Sequence, residues 1–407
     1  MLDASSRALR IALLTHSVNP RGGVVHTLEL AQALHAAGHE VTVMAPAAPG
    51  QGFFRQLDCE VDLAPVTVKP ADMAEMVGSR IAAYVTHLTP LLKRRRFDIL
   101  HAHDGIGGNA LADLQEAGLI EGHVRTVHHL DDFADPRITA WQNRAVAHAR
   151  KIFCVSRLWC DVLRREYDIE AAQVNNGVDT RRFTPQADAS DAPLKARLGL
   201  RGSGDGPVLL AVGGVEERKN TLRILDAFVL LRRALPHAQL VIAGGASLLD
   251  HDSYQREFMR ALGASGLKPG IGESVVLTGP MPDAEMPALF RLADALLMPS
   301  LREGFGLVVL EAMASGTPAV VSRMAPFNEY LNETECFWAD PFSPASIAQA
   351  MRQAAQPGLA RSLALAAAPA VCAHFSWAAS AQRHVALYRA ILSTPDVTPV
   401  DQEECRA

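Results

Sequence analysis

The sequence predicts two doubly wound α/β domains facing each other across a cleft. Three observations carry this expectation. Short apolar runs bounded by turn residues recur along the chain and read as buried parallel strands. Longer stretches of helical periodicity lie between them. The chain's 407 residues exceed the size of about 250–300 at which one core stops growing, so two domains of about 200 residues each are expected.

In the first half the strand-like runs are "RIALLT", "EVTVMAP", "FDILHAH", "VRTVHH" and "KIFCVS"; in the second they are "PVLLAVGG", "AQLVIAGG", "SVVLTG", "ALLMPS" and "PAVVS". Between the halves, "NNGVDTRRFTPQADASDAPLKARLGLRGSGDGP" is rich in Gly, Pro, Asp and Ser and reads as connector and loop. The boundary is placed near residue 185, giving domains 1–184 and 185–375. The polar, proline-containing end, 393–407, is expected to be disordered.

Composition limits the function classes. With 49% hydrophobic residues, 20% charged residues and a net charge of -5, the chain has no basic excess of the kind nucleic-acid binding needs. Six scattered cysteines without a C-x-x-C pair argue for reduced thiols in a cytosol. The apolar "IALLT" is only strand length, too short for a signal segment. The expectation is a soluble cytoplasmic protein.

After the first strand, "HSVNPRGGVVHTLELAQAL" is read as a tight turn through Asn19, Pro20, Gly22 and Gly23, then a helix stopped by Gly38. Glycines at that place let a ligand approach a helix N-terminus, although a plain connecting loop is the alternative. "FDILHAHD" ends a strand with His101, His103 and Asp104; "RTVHHLDDF" ends another with His128, His129, Asp131 and Asp132. A metal cluster is one reading of these, but no third ligand group has the spacing of a known site. A polar strand end beside a cleft is the other, with His128 facing substrate.

In "AVGGVEERKNTLRILDAF", Arg218 and Lys219 precede a helix, where the dipole disfavours each cation by about 0.3–1 kcal/mol. Two cations placed there suit an anion such as a diphosphate, with a solvated turn and Lys219 free in water as the alternative. The stretch "PSLREGFGLVVLEAMASGTPAVVS" sets Glu303 and Glu311 around a glycine-broken turn. On one continuous helix their Cα atoms would lie about 12 Å apart along the axis, a poor fit to glycosidase carboxyl pairs at about 5–5.5 or 6.5–9.5 Å. Gly304 and Gly306 instead keep Glu303 in the loop, with a helix ending at Gly316 and Glu311 one turn inside. The N–H groups of residues 304 to 308, Leu307 and Val308 among them, then lie between two carboxylates that grip the two ends of one extended ligand.

These motifs, with "THSVNPRGGVVHTLELAQALHAAGHEVTVMAP", "VSRLWCDVL", "NGVD" and the closing "FSWAASAQRHVALYRAIL", make the chain resemble a GT-B glycosyltransferase of family 4 over nearly its whole length. The resemblance implies transfer of a sugar from a nucleotide-diphosphate-sugar donor with retention and no bound metal or cofactor. It implies that Glu303 meets donor-sugar hydroxyls with the backbone of Gly304, Phe305 and Gly306. Glu311 would take the ribose hydroxyls, and Lys219 would neutralise the diphosphate. Gly214 stands where the family often has Arg, which leaves Arg218 as the second cation. His128, or its neighbour His129, would lie near the reacting carbon, Gly23 near the diphosphate and acceptor, and Met281 near the base. A closing helix, about 376–392, would return to the first domain.

A nucleotide-sugar epimerase, a phosphorylase carrying pyridoxal phosphate and a non-catalytic nucleotide-sugar binder share the architecture and stay open. Donor isomerisation without acceptor, a cofactor absorbance band, or binding without turnover would distinguish them. The acceptor, a sugar, a lipid or a small metabolite, is not legible. The run Lys93–Arg96 closes a helix starting near Ala71, where the dipole favours cations, with weak peripheral membrane contact as the alternative.

Overall fold

In the computed structural model, which describes residues 7–201, 204–245 and 252–393, the strands gather into two separate parallel sheets. The first comprises β1 (Arg10–Leu14), β2 (Glu40–Ala47), β3 (Glu60–Pro65), β4 (Ile99–Ala102), β5 (Val124–Val127), β6 (Lys151–Cys154) and β7 (Ala172–Gln173). Its spatial order is β3-β2-β1-β4-β5-β6-β7. The second comprises β8 (Val208–Val212), β9 (Gln239–Ala243), β10 (Val275–Gly279), β11 (Ala295–Met298), β12 (Ala319–Ser322) and β13 (Phe337–Ala339), ordered β10-β9-β8-β11-β12-β13. Each order runs outward from its first strand and then reverses. That puts a switch point between β1 and β4 and another between β8 and β11, where open α/β sheets bind ligands.

All ten strand-like runs read from the sequence form strands. The additional strands, β3, β7 and β13, are edge strands, and their residues are less fully buried than those of the central strands. An edge strand needs no continuous apolar run, so its signal is faint.

Helices cover both faces. In the first half these are α1 (Gly22–Ala36), α2 (Met73–Leu92), α3 (Gly105–Glu116), α4 (Pro136–Ala147) and α5 (Arg157–Tyr167). Leu13, Leu28, Leu34 and Tyr388 form one face of the first core; Leu14, Tyr84, Leu88 and Leu111 form the other. The second half holds α6 (Asp191–Leu198), α7 (Thr221–Arg232), α8 (Asp252–Ala264), α9 (Met286–Leu292), α10 (Leu307–Ala314), α11 (Pro344–Ala354) and α12 (Leu359–His374). Leu209, Phe228 and Met351 pack on one side of its sheet, Leu210, Phe290 and Met313 on the other.

The stretch expected as plain connector carries α6. Its Leu194 and Leu198 are buried, and Arg291 of α9 holds Asp188 at 2.7 Å. The last helix, α13 (Trp377–Ser393), packs against α1 of the first half. At the crossing, Val178 N–H donates to Phe375 O at 2.9 Å. A Cβ at Gly177 would fall 2.4 Å from the Trp377 nitrogen, so only glycine lets the two chain crossings lie this close. Of the expected disordered end, 393–407, Ser393 is instead the last residue of α13; 394–407 with Cys405, and part of the connector, 202–203, lie outside the described residues.

Candidate active site

The carboxyl end of β8 leads through Gly213 and Gly214 into a short 3₁₀ turn, Glu217–Lys219, ahead of α7. Both glycines have positive φ, 123° and 77°. A Cβ at Gly213 would lie 2.7 Å from Lys219 Cε, so its absence gives the lysine stem its bed. One at Gly214 would lie 2.7 Å from Gly245 O, which explains in backbone terms why no arginine stands there.

Asn220 closes the turn in the left-handed region, φ 63°. Its buried amide donates to Pro299 O at 2.9 Å and Pro341 O at 2.7 Å. Leu301 N–H donates to Arg218 O at 2.8 Å. The cationic turn is thereby stitched to the segment after β11, across the switch point of the second sheet.

These bonds bring both cations to Glu303. Lys219 Nζ donates to Glu303 Oε1 at 2.6 Å, with the side chains only 11% and 8% exposed. Arg218 lies 3.8 Å from the same oxygen and 2.9 Å from Glu216. Burial pushes the Glu303 carboxyl up, but Lys219 and Arg218 outweigh it and hold it below the usual carboxylate range. Burial lowers Lys219, with Glu303 opposing and Arg218 adding. The anion facing two cations at this helix start is thus a carboxylate of the chain itself.

Glu303 begins the turn into α10, with Gly306 as the residue before the helix at φ 94°. Leu307 and Val308 open α10 as half-buried residues, Glu311 sits one turn inside, and Gly316 follows the helix end at φ 73°. The Leu307 and Val308 N–H groups have no acceptor within the helix by position. A Cβ at Gly306 would meet the Phe327 ring at 2.6 Å, and one at Gly304 would fall 2.3 Å from the His128 carbonyl oxygen. Gly304 is therefore one point where the second half touches the first. The Phe305 ring stacks on Tyr330 at 4.6 Å, turned into the core, so the chain offers backbone at that point. From the first half, Trp159 Nε1 donates to Glu303 O at 3.0 Å.

Glu311 is half-buried beside an ion cluster that joins the halves. Arg55 pairs with Glu29 of α1 and, at 2.8 Å, with Asp283; Arg182 meets Asp283 at 2.8 Å. Burial pushes the Glu311 carboxyl up to about 7, with Arg182 opposing and Glu29 and Asp283 adding. Met281, half-buried after β10, lies two residues before Asp283.

On the first half, Gly22 and Gly23 are not in a turn as expected but are the first residues of α1, with Arg21 before it. A Cβ at Gly23 would lie 3.5 Å from His128 Cδ2, at ordinary contact distance, so the start of α1 faces that ring. His128 is half-buried, and burial pushes its imidazole down to about 3, helped by His129 and His101. His129 instead points outward, 3.1 Å from Asp131. His101 bonds to the Tyr388 hydroxyl at 2.6 Å and Thr126 at 2.8 Å, and Asp104 caps α3 through Gly107 N–H at 2.8 Å. Of the histidines read from the sequence, only His103 joins His128. The third member of their group, His26, comes from α1.

Asn220, Trp159, His26 and the Glu29–Arg55–Asp283–Arg182 cluster were not singled out in the sequence. For Asn220 a signal existed, an asparagine between two helical signals. The others are brought together only by packing. Arg95 of the basic run is engaged with Glu60 at 2.7 Å and lies over Phe97. Among the described residues no helix is long and apolar enough to cross a membrane.

Residues 20–182 match the family model described as Glycosyltransferase Family 4, and residues 199–362 match the one described as Glycosyl transferases group 1. Mannosylfructose-phosphate synthase of Agrobacterium fabrum is 24% identical over 94% of this chain and 89% of its own length. A D-inositol 3-phosphate glycosyltransferase of Corynebacterium urealyticum is 25% identical over 97% of this chain and 98% of its own. Among solved structures, sucrose-phosphate synthase from Thermosynechococcus elongatus superposes with a TM-score of 0.75 at 21% identity, covering 94% of this chain and 98% of that one. Anabaena HepE in complex with UDP and glucose gives 0.74 at 16% identity, covering 95% and 100%.

Proposed function

This chain is a family 4-like GT-B glycosyltransferase, and from that premise we propose that it moves a sugar, with retention, from a nucleotide-diphosphate-sugar donor to an acceptor hydroxyl without a metal. The observation that carries the reading is the convergence of Lys219 and Arg218 on Glu303 at the switch point of the second sheet. Departure of a nucleoside diphosphate builds negative charge on phosphate while the sugar carbon becomes cationic. Fixed cations and helix N–H groups aimed at that phosphate stabilise the transition state more than the ground state.

In this reading Lys219 and Arg218 turn from Glu303 to the diphosphate, which lies at the start of α10 over Leu307 and Val308. The freed Glu303 carboxylate then accepts hydroxyls of the donor sugar, beside the backbone of Gly304, Phe305 and Gly306. Glu311 accepts the ribose hydroxyls, and the base lies by Met281. Gly22 and Gly23 open the side of the diphosphate that faces the acceptor. His128, held neutral by burial, contacts a sugar hydroxyl near the reacting carbon without adding charge there. The neighbour's UDP complex supports a nucleoside diphosphate as the group bound.

The test is a thermal-shift panel of UDP-, GDP- and ADP-sugars, since ligands that bind only the folded state raise its stability. The donor found there is then incubated with phosphorylated sugars and inositols, the acceptor classes that the relatives' names suggest, and the product anomer is read by NMR. One donor should raise the melting temperature and give a product of unchanged anomeric configuration. No shift with any donor, or an inverted product, would overturn the reading.

A further inference from the structure

Three imidazoles converge from separate elements: His26 from α1, His103 after β4 and His128 after β5. One ring nitrogen of each lies within 4.8 Å of the other two. The ring centroids stand 5.1 Å apart for His26 and His103, and 4.7 Å for His26 and His128. His26 and His103 are 0% and 3% exposed, while His128 keeps an edge open.

Among the described residues no group pairs with His26 Nε2, with either nitrogen of His103, or with His128 Nε2. Buried polar atoms nearly always have a partner, so one such nitrogen from each of three rings, converging on the other two, points to a ligand that takes lone pairs. His26 is also oriented for it. Asn176 Oδ1 lies 2.5 Å from His26 Nδ1 and accepts a hydrogen bond from its N–H, which leaves the lone pair on Nε2. Burial keeps all three rings neutral.

We propose that His26, His103 and His128 form a binding site for a divalent transition metal of the zinc class, with its remaining coordination position toward the cleft. Imidazole suits zinc, cobalt and copper; magnesium and calcium want oxygen. The nearest carboxylate in sequence, Asp104, caps α3 through one oxygen, has the other 3.9 Å from His16 Nδ1, and is not part of the histidine group. Metal–nitrogen bonds of about 2.0–2.1 Å set tetrahedral ligand nitrogens about 3.3 Å apart, a contraction that ring rotation supplies. Occupation withdraws His128 from the sugar, so the metal acts as an inhibitor of a reaction that itself needs none; this consequence rests on the role proposed for His128.

The test is titration of the EDTA-treated full chain with Co²⁺. One equivalent should give the visible absorption of a tetrahedral cobalt site. His103→Gln should abolish it, and Asn176→Ala, which keeps all three ligands, should weaken affinity by about 10–100-fold. A wild-type chain without that spectrum overturns the proposal. So does a spectrum unchanged in folded His26→Gln and His103→Gln variants, with folding checked by melting curves. Zn²⁺ inhibition of transfer is read separately: a cobalt signal without inhibition upholds the site and removes His128 from the reaction.

Discussion

Replacing Lys219 by alanine tests the electrostatics of the cleft in two independent readouts. The ammonium sits 2.6 Å from Glu303 with both side chains nearly buried, and only Arg218, at 3.8 Å, remains to face that carboxylate. Leaving one partner of a buried pair uncompensated costs about 3–5 kcal/mol, and the remaining arginine places the expectation near the low end, about 3 kcal/mol. Losing one preorganised charge at a developing phosphate costs about 2.7–4 kcal/mol of barrier, or about 10²–10³ in kcat. The double variant Lys219→Ala/Glu303→Ala should regain part of the stability, because no orphan carboxylate remains, and none of the activity. The pH dependence carries the same sign. Glu303 is held below its unfolded value, so its contribution is present above about pH 4.3 and is lost as pH falls through the folded value. In Lys219→Ala that acid loss should begin at higher pH. Denaturant midpoints at pH 7 and pH 4, with transfer rates on the same samples, decide it. Turnover equal to wild type, or a stability loss below the 1 kcal/mol or so typical of a surface pair, would refute the reasoning.

Gly304→Ala should lower kcat/KM by about 10²-fold or more with far-UV circular dichroism unchanged, because a Cβ there meets His128 O at 2.3 Å and shifts the two halves of the site. Glu311 has a raised carboxyl, so its neutral form stabilises the fold at low pH and that gain is lost as pH rises toward about 7. The stability of wild type relative to Glu311→Gln should therefore fall between about pH 4.3 and 7 and level off above, as read by denaturation across that range. The same Glu311→Gln change should raise the donor Kd more than it lowers kcat, by calorimetry and kinetics. Asn220→Ala should destabilise by about 1–3 kcal/mol for each carbonyl it orphans, Pro299 O and Pro341 O, read from denaturant midpoints.

What the amino-acid order determined by itself is what short-range physics writes. Continuous apolar runs marked every central strand, because such strands are buried on both faces. The α10 motif was legible to the residue: Gly304 and Gly306 left Glu303 in the loop, and Glu311 fell one turn inside the helix. Adjacent cations before α7 announced an anion. Tertiary structure alone decided which anion faces them, Glu303 from 84 residues away. It decided that Gly22 and Gly23 belong to α1, with Gly23 lying against His128, a residue from another strand end. It also gathered His26, His103 and His128, and tied Arg55 and Arg182 to Asp283 across the halves. Helical and strand periods record which face of an element is dry. They say nothing of which distant element covers it, since that choice is made by two sheets closing on each other.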